Sequence, residues 1–236
     1  MIEMQNYIDD NIADKYCKFS GDFNLCHQKK SNKKQKRVIH GGLICDTSLR
    51  DNINLQEKKI TRLKIIFNNL LYTPAYFRTK LIKKEKIKSK FSLYNKENEI
   101  INYETFFFSQ KFPHILDKKN FHVIDESKIP VDWEYNFKKN ELYRLKDNSS
   151  KDNFYDDSKM NPIYSSSLGI LSQIVGMYIP GEKSTSLIYD IYYLTSNDPN
   201  IYLKIINYIP SLCLLKIIIE TASFRAIIHA KNESPH

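Results

Sequence analysis

The feature that most constrains the fold is an aliphatic, charge-balanced C-terminal third, residues 161–231, in which Ile, Leu and Tyr dominate. After Met160 the cationic and acidic side chains of the chain cancel, five against five, so the formal net charge of +9 lies upstream. A segment of this composition is ordered by removing its aliphatic side chains from water. The sequence therefore predicts the main core in this third, with a solvated, basic part in front of it.

Two glycines and a proline interrupt the most apolar stretch, residues 167–180. Gly169 and Gly176 stand where a side chain with a Cβ would form a better helix or strand. A glycine there indicates a positive φ or the close approach of another backbone, and Pro180 ends the element.

Chain length and hydrophobic content allow one sizeable domain or two small ones, since 42 % of the 236 residues are hydrophobic. Four cysteines without regular spacing indicate a reducing compartment. The longest apolar run, residues 201–219, is interrupted by Lys204, Asn207, Pro210 and Lys216, so it does not predict a membrane span. We expect a cytoplasmic protein.

Apolar periodicity predicts a helix between residues 54 and 72, ending near Pro74. Its apolar positions recur three and four residues apart: Ile60, Leu63, Ile66, Phe67, Leu70 and Leu71. A further helix is predicted to start at Asp198-Pro199, with Asp as N-cap. A helical stripe continues beyond Pro210 at Leu212, Leu215, Ile218, Ile219, Ala222 and Ala226.

Short aromatic and β-branched runs at residues 92–94, 103–108 and 121–124 predict strands. The resulting fold class is α+β, with an N-terminal helix and basic loops, a small aromatic-rich β region in the middle, and a helical C-terminal third. The predicted segments are an N-terminal segment with a basic loop (1–52), a mixed helix and strand region (53–146), a polar loop (147–160), and a mainly helical apolar region (161–236).

Two basic runs could bind nucleic acid. Residues 28–37 hold six cations and should form an exposed loop that a turn at His40-Gly-Gly closes, and residues 78–90 hold seven cations and one acid. Four aromatic residues near the second run could stack on bases: Tyr72, Tyr76, Phe77 and Phe91. A charge run is usually a solvated face, so a basic nucleic-acid-binding protein is the alternative function here.

Candidate cofactor and metal sites are weak. Residues 176–184 approach a phosphate-binding loop, but Glu182 separates Gly181 from Lys183 and would repel the anion. A zinc site from Cys17, Cys26, His40 and Cys45, with His27 as a spare ligand, lacks a tight Cys-x2-Cys pair, and the sequence leaves it open. Without a catalytic motif, we predict no catalytic, cofactor-binding or metal-binding residues and no enzyme activity.

The order of motifs after residue 106 resembles the TssG family of the type VI secretion baseplate. Residues 106–113 are similar to its extended segment ending in Phe-Pro, and residues 168–180 to its Gly-Leu-x-Gly-x-x-Gly-x-Leu-Pro stretch. Residues 198–207 are similar to a helix that starts at Asp-Pro, although Tyr208-Ile209 stands where the family has His-Arg.

This resemblance implies a structural wedge subunit that acts through protein–protein interfaces. Its implied partners are two copies of a TssF-like subunit, a TssK-like subunit and a TssE-like subunit. It further implies that the protein has no small-molecule substrate, binds no nucleic acid and does not span the membrane. The location would be cytoplasmic, peripheral to the inner membrane within a secretion complex.

Overall fold

The computed structural model describes residues 3–28, 36–52, 59–124, 137–145, 162–181, 184–194, 198 and 200–232. Within these ranges there are three α-helices: α1 (Asp10–Ser20), α2 (Gly41–Asn52) and α3 (Pro162–Gln173). A short 3-10 turn spans Leu25–His27, another spans Pro210–Leu212, and a π-helical turn, Ile174–Tyr178, continues α3.

Eleven strands form one sheet across the described residues. They are β1 (Glu3–Ile8), β2 (Arg62–Phe67), β3 (Ala75–Lys84), β4 (Lys88–Asn95), β5 (Asn98–Phe106), β6 (His122–Val123), β7 (Leu142–Leu145), β8 (Ser184–Tyr193), β9 (Ile201–Ile209), β10 (Leu214–Glu220) and β11 (Phe224–Asn232). Their order is β1-β3-β4-β5-β2-β8-β11-β10-β9-β7-β6. The β6–β7 pairing is parallel, and the other nine are antiparallel.

The strand order reveals an internal repeat. The first half reads β1-β3-β4-β5-β2, with α2 between β1 and β2 in the chain. The second half reads β7-β9-β10-β11-β8 in the opposite direction, with α3 between β7 and β8. Strands β2 and β8 join the halves antiparallel, from Arg62 opposite Tyr192 to Ile66 opposite Ile188.

The main core lies between the helices and one face of the sheet. Leu43 and Leu49 of α2 and Leu168 and Leu171 of α3 pack there against the sheet residues. A second cluster contains side chains of β7 to β11 with Phe112 and Leu116 from the segment after β5. The C-terminal strands are therefore buried on both faces.

The predicted helical C-terminal third is wrong, because β8 to β11 occupy it. Burial on both faces explains the error: Ile217 and Ile219 belong to the main core, whereas Ile218 belongs to the second cluster. A strand buried on both faces loses its alternation and reads as a continuous apolar run. The proposed helix start at Asp198 instead precedes β9.

The predicted helix over residues 54–72 is also wrong where the structure describes it, because β2 runs from Arg62 to Phe67. Leu63 and Ile65 are buried at a spacing of two, and β2 pairs with both β5 and β8. Ile66 and Phe67 are only partly buried in the strand, but both are apolar. Counted with the buried residues, they give the sequence a spacing of three and four that is typical of a helix.

Several predictions are confirmed. The aromatic runs overlap β4, β5 and β6, although β5 ends at Phe106 and β6 spans only His122–Val123, and the N-terminal helix is α1. The turn proposed at His40-Gly-Gly is instead the start of α2.

Three predictions concern residues outside the described ranges. They are the polar loop over 147–160, most of the basic loop over 28–37, and Lys183 of the suspected phosphate loop. The domain boundaries stay a prediction.

Candidate active site

A cavity of about 350 Å³ lies between the two halves of the fold. Both halves contribute to its wall. The polar residues of the first half that line it include Asp22, Asn24 and His27, and those of the second half include Ser172, Ser186 and Tyr189. Apolar side chains such as Ile44, Phe67 and Val175 complete the lining. A concave, mostly apolar site with a few convergent polar groups is typical of small-molecule binding.

The end of α1 places Asp22 in this wall. Gly21 ends the helix in the left-handed conformation, with φ of 71°, and its N–H donates to the Cys17 carbonyl at 2.9 Å. The Ser20 hydroxyl accepts the N–H of Asp22 at 3.2 Å, and Asp22 Oδ1 accepts the N–H of Asn24 at 3.1 Å. These bonds hold the Asp22 carboxyl group in a buried position, with the residue only 3 % exposed.

The short turn Leu25–His27 then brings His27 beside Asp22. Asn24 caps this turn, since its Oδ1 accepts the N–H of Cys26 at 3.3 Å. His27 Nδ1 lies 2.9 Å from the Val38 carbonyl oxygen, so Nδ1 carries the proton and donates it. His27 Nε2 is therefore left as a base, 3.9 Å from Asp22 Oδ2.

His40 supports this pair from behind. Its ring stacks on that of His27, with centroids 3.7 Å apart, and its Nε2 lies 3.6 Å from Asp22 Oδ2 and 3.2 Å from the Asp22 carbonyl oxygen. His40 is 1 % exposed and does not line the cavity. We infer that His40 positions Asp22 and His27 and does not contact a ligand.

Burial moves the pKa values of Asp22 and His27 away from those of the free side chains. Loss of hydration raises the pKa of Asp22 to about 7, against a smaller opposing effect of the Asn24 hydrogen bond. Loss of hydration also lowers the pKa of His27 to about 4, and the nearby Arg37 acts in the same direction. At neutral pH the site thus holds a neutral imidazole next to a carboxyl group that is half protonated.

Arg37 lies on the far side of the cluster and is 3 % exposed. Its guanidinium group donates to Asp14 Oδ1 at 2.6 Å and to Cys17 Sγ at 3.2 Å. Cys17 Sγ in turn lies 3.8 Å from His40 Nε2. This chain of contacts joins α1 to the loop before α2 and fixes the histidines from outside the cavity.

The second half closes the site through Gly176 in the π-helical turn. A Cβ on Gly176 would lie 2.6 Å from the carboxyl carbon of Asp22, so only glycine fits there. A Cβ on Gly169 would lie 2.9 Å from the Phe19 ring, so at both glycines the close neighbour is a side chain, where the sequence predicted a positive φ or another backbone. Neither glycine has a positive φ; Gly181 does, at 89°.

The N-terminus of α2 adds backbone donors to the same cavity. Gly41 and Gly42 both line it, and the first N–H groups of a helix have no partner within the helix. A Cβ on Gly42 would lie 2.9 Å from the Ser172 hydroxyl oxygen, so α2 approaches α3 closely here. The helix end can therefore bind a polarised carbonyl oxygen.

The zinc set considered from the sequence is not brought together. Among the described residues, the group of His, Cys, Asp or Glu side chains that could share an ion is Asp22, His27 and His40. It contains His40 of the proposed set and the spare ligand His27, but no cysteine. None of the four cysteines forms a disulfide, and Cys45 is buried within α2. Hydrogen bonding favours an acid and base pair over a metal centre, because His40 Nε2 faces the Asp22 carbonyl oxygen.

Sequence reasoning missed Asp22 and treated His27 only as a spare ligand. The available signal was local: Gly21-Asp22-Phe23-Asn24 has turn chemistry, and His27 follows five residues after Asp22. His40 is followed by Gly41 and Gly42, and the absence of side chains there lets a helix begin in close contact with a neighbouring element. The prediction of no catalytic residue stays untested by the geometry itself.

No protein-family model matches the chain, and no curated protein matches it in sequence. Solved structures do match over nearly the whole chain, and they define its class: the chain has the hot dog fold. A hot dog fold protein from Alicyclobacillus acidocaldarius covers 99 % of this chain and 94 % of its own, at 10 % identity and a TM-score of 0.57.

Two named enzymes share the fold. A MaoC-like dehydratase covers 98 % of this chain and 97 % of its own, at 7 % identity and a TM-score of 0.61. An acyl-CoA thioesterase II from Mycobacterium marinum covers 85 % of this chain and 91 % of its own, at 10 % identity and a TM-score of 0.50. Identities this low show the fold alone.

The likeness to these structures corrects the functional predictions. The TssG resemblance is wrong, because the 198–207 segment is strand β9 and the whole chain matches hot dog proteins. The baseplate function, its nucleic-acid-binding alternative and the prediction of no enzyme activity are contradicted by the same finding, since structures with this fold are named as dehydratases and thioesterases. The TssF-like, TssK-like and TssE-like partners are contradicted with them.

No helix in the described part of the chain is long and apolar enough to cross a membrane.

Proposed function

We propose that the protein is an enzyme acting on small acyl thioesters of the acyl-CoA type, and that it catalyses the reversible dehydration of a 3-hydroxyacyl thioester to the 2-enoyl thioester. The single observation that carries this proposal is the Asp22–His27 pair in the cavity wall. Environments that push the pKa values of two neighbouring groups apart supply an acid and a base at the same pH. The cytoplasmic location predicted from the sequence remains part of the proposal.

In the dehydration direction, His27 Nε2 accepts the proton from the carbon next to the thioester carbonyl. The electron pair forms the new double bond, and the bond from the next carbon to its hydroxyl oxygen breaks. Asp22 gives its proton to that oxygen, which leaves as water. The reverse direction returns both protons, since His27 is then an imidazolium and Asp22 a carboxylate.

Proton removal next to a thioester carbonyl places negative charge on the carbonyl oxygen. Backbone N–H groups at the start of α2, where Gly41 and Gly42 line the cavity, are suited to stabilise this charge. The close approach of Gly176 leaves no room for a side chain beside the Asp22 carboxyl group. Each of these contributions comes from an element that the fold holds rigidly.

Thioester hydrolysis is the second candidate, because a thioesterase shares the fold. Hydrolysis with Asp22 as base needs the carboxylate form, and a pKa of about 7 leaves this carboxyl group half protonated at neutrality. Dehydration uses both members of the pair, with neutral His27 as the base and the protonated form of Asp22 as the acid, whereas hydrolysis with Asp22 as base gives His27 no role. The site therefore favours dehydration over hydrolysis.

One assay separates the two reactions. The full chain is incubated with 3-hydroxyacyl-CoA and 2-enoyl-CoA substrates of several chain lengths, and with both 3-hydroxy stereoisomers. We expect interconversion of the two thioesters, followed by the ultraviolet absorbance of the conjugated enoyl group, with no free thiol. Release of CoA thiol without interconversion would replace dehydration by hydrolysis, and neither change at any chain length would reject the acyl-thioester proposal.

A further inference from the structure

The hairpin formed by β3 and β4 carries the second basic run and takes no part in the cavity. Six lysines lie on its outer half: Lys80, Lys83, Lys84, Lys86, Lys88 and Lys90. In the described part of the chain, Glu85 forms an ion pair with Lys83, and Glu104 of β5 lies 3.4 Å from Lys88. The hairpin therefore carries a large excess of positive charge.

The pairing of β3 and β4 increases this charge density. Lys83 lies directly opposite Lys90 in the register. Like charges directly opposite each other on neighbouring strands are destabilising, so the arrangement favours an anionic partner that offsets the repulsion.

Two isoleucines are exposed among the lysines. Ile82 is 47 % exposed and Ile87 49 % exposed. Ile82 lies at a β-bulge between Leu81 and Lys83, which interrupts the pairing with β4. Ile87 precedes β4, and its carbonyl oxygen accepts the N–H of Phe107 at 3.0 Å, so the backbone at the tip is held by the sheet. A β-bulge at the edge of a sheet redirects a side chain and is a specific feature of a fold.

We propose that this hairpin binds the protein to an anionic lipid surface, with Ile82 and Ile87 entering the boundary of the acyl chains and the lysines contacting the headgroup phosphates. Aliphatic side chains flanked by lysine suit a lipid boundary, where the apolar groups leave water and the ammonium groups stay at the surface. Nucleic acid is a poorer match, because bases stack on aromatic rings, whereas the exposed apolar side chains at the tip are aliphatic. The inference is independent of the chemistry proposed for the cavity.

The test is co-sedimentation of the full chain with vesicles of phosphatidylcholine alone, and with vesicles containing phosphatidylserine, at low and high salt. We expect binding to the anionic vesicles only, weakened at high salt by screening. Lys84→Gln with Lys86→Gln should weaken it about 25-fold, at roughly fivefold for each lysine near an anionic surface. Ile82→Ser with Ile87→Ser should weaken it at least about tenfold, because both apolar contacts are lost.

The matched control is Lys138→Gln with Lys139→Gln, which removes two exposed lysines next to β7, near the other edge of the sheet. It should bind as the unchanged chain does, and all variants should keep the far-ultraviolet circular dichroism of the fold. The proposal is overturned if anionic vesicles are not bound above neutral ones, or if the control loses as much binding as the hairpin variants. It is also overturned if a single-stranded oligonucleotide binds as tightly and the isoleucine variant binds it equally well.

Discussion

His27 Nε2 and Asp22 Oδ2 face each other at 3.9 Å, too far apart for a hydrogen bond between them. Both groups line the cavity, and each is held from behind by backbone bonds, His27 through Val38 and Asp22 through Asn24. An acid and a base in this arrangement are free to contact a third molecule. A substrate that offers a proton to one and a hydroxyl group to the other fits between them.

Replacement of either group should slow turnover strongly without unfolding the chain. We expect Asp22→Asn and His27→Gln each to lower kcat for dehydration by about 10²- to 10⁴-fold, the usual contribution of a positioned acid or base. The measurement is initial-rate kinetics on the enoyl and hydroxyacyl thioesters.

Asp117→Asn and His122→Gln make the same chemical changes on the surface, where both residues are exposed, and should leave kcat unchanged. Equal losses in the surface and cavity variants would show that the pair has no special part in turnover.

The plot of kcat/KM for dehydration against pH should be bell-shaped. Turnover needs one proton on the pair, with His27 neutral and Asp22 protonated in the dehydration direction. The pKa of about 4 for His27 gives the acidic limb, and that of about 7 for Asp22 gives the basic limb. We expect kcat/KM to rise through the first value and fall through the second. A rate that keeps rising above pH 8 would show that Asp22 acts as a carboxylate and would favour hydrolysis.

The buried Asp22 carboxyl group should also destabilise the fold at high pH. Its pKa of about 7 in the folded chain exceeds its ordinary value of 3.8, so the folded chain binds more protons than the unfolded chain between these values. The free energy of unfolding therefore falls as pH rises from about 4 to 7 and stays low above. Asp22→Asn should be more stable than the unchanged chain at pH 8, by about 2–4 kcal/mol, with a much smaller difference at pH 4.

Thermal unfolding of both proteins at the two pH values measures this difference. Asp46 is buried as well, with its pKa raised to about 7 by burial, so the unchanged chain should lose further stability in the same window. The difference between variant and unchanged chain isolates Asp22. A variant that is less stable at pH 8 would show that the carboxylate is well solvated or paired.

The contact of Gly176 with Asp22 gives a test of the second half's role. Gly176→Ala should lower kcat at least about tenfold, because the added methyl group must displace the Asp22 carboxyl group, and overpacking of this kind costs about 1–3 kcal/mol. Gly169→Ala, in α3 just before the π-helical turn, is the matched control. Its added Cβ meets the partly buried Phe19 ring, away from the pair, so it should keep kcat near normal. Equal kinetics in the two variants would contradict the assigned contact.

Local chemistry in the sequence predicts some of this structure. The strands at residues 92–94 and 103–106 follow from aromatic and β-branched runs, and α1 was also predicted. The C-terminal strands were not, because Ile217 and Ile218 face two different clusters and remove the alternation. The β2 strand was read as a helix for a related reason, since its place between β5 and β8 depends on partners distant in sequence.

The site was harder to predict than the fold. Asp22 and His27 are close in sequence, but the cavity they line is completed by α2 and by the turn after α3, more than one hundred residues away. Their pKa values depend on burial by these elements. A single sequence shows the turn chemistry around Asp22 and Asn24, but the loss of hydration that makes the pair an acid and a base follows from the packing of both halves.

The most direct test of the central claim is deuterium incorporation in heavy water. The full chain is incubated with a 2-enoyl-CoA, and the product is followed by nuclear magnetic resonance. The account predicts a 3-hydroxyacyl thioester with one deuterium on the carbon next to the thioester carbonyl, delivered stereospecifically from His27, and no such product with His27→Gln. Release of free CoA and carboxylic acid without that deuterated product would contradict it.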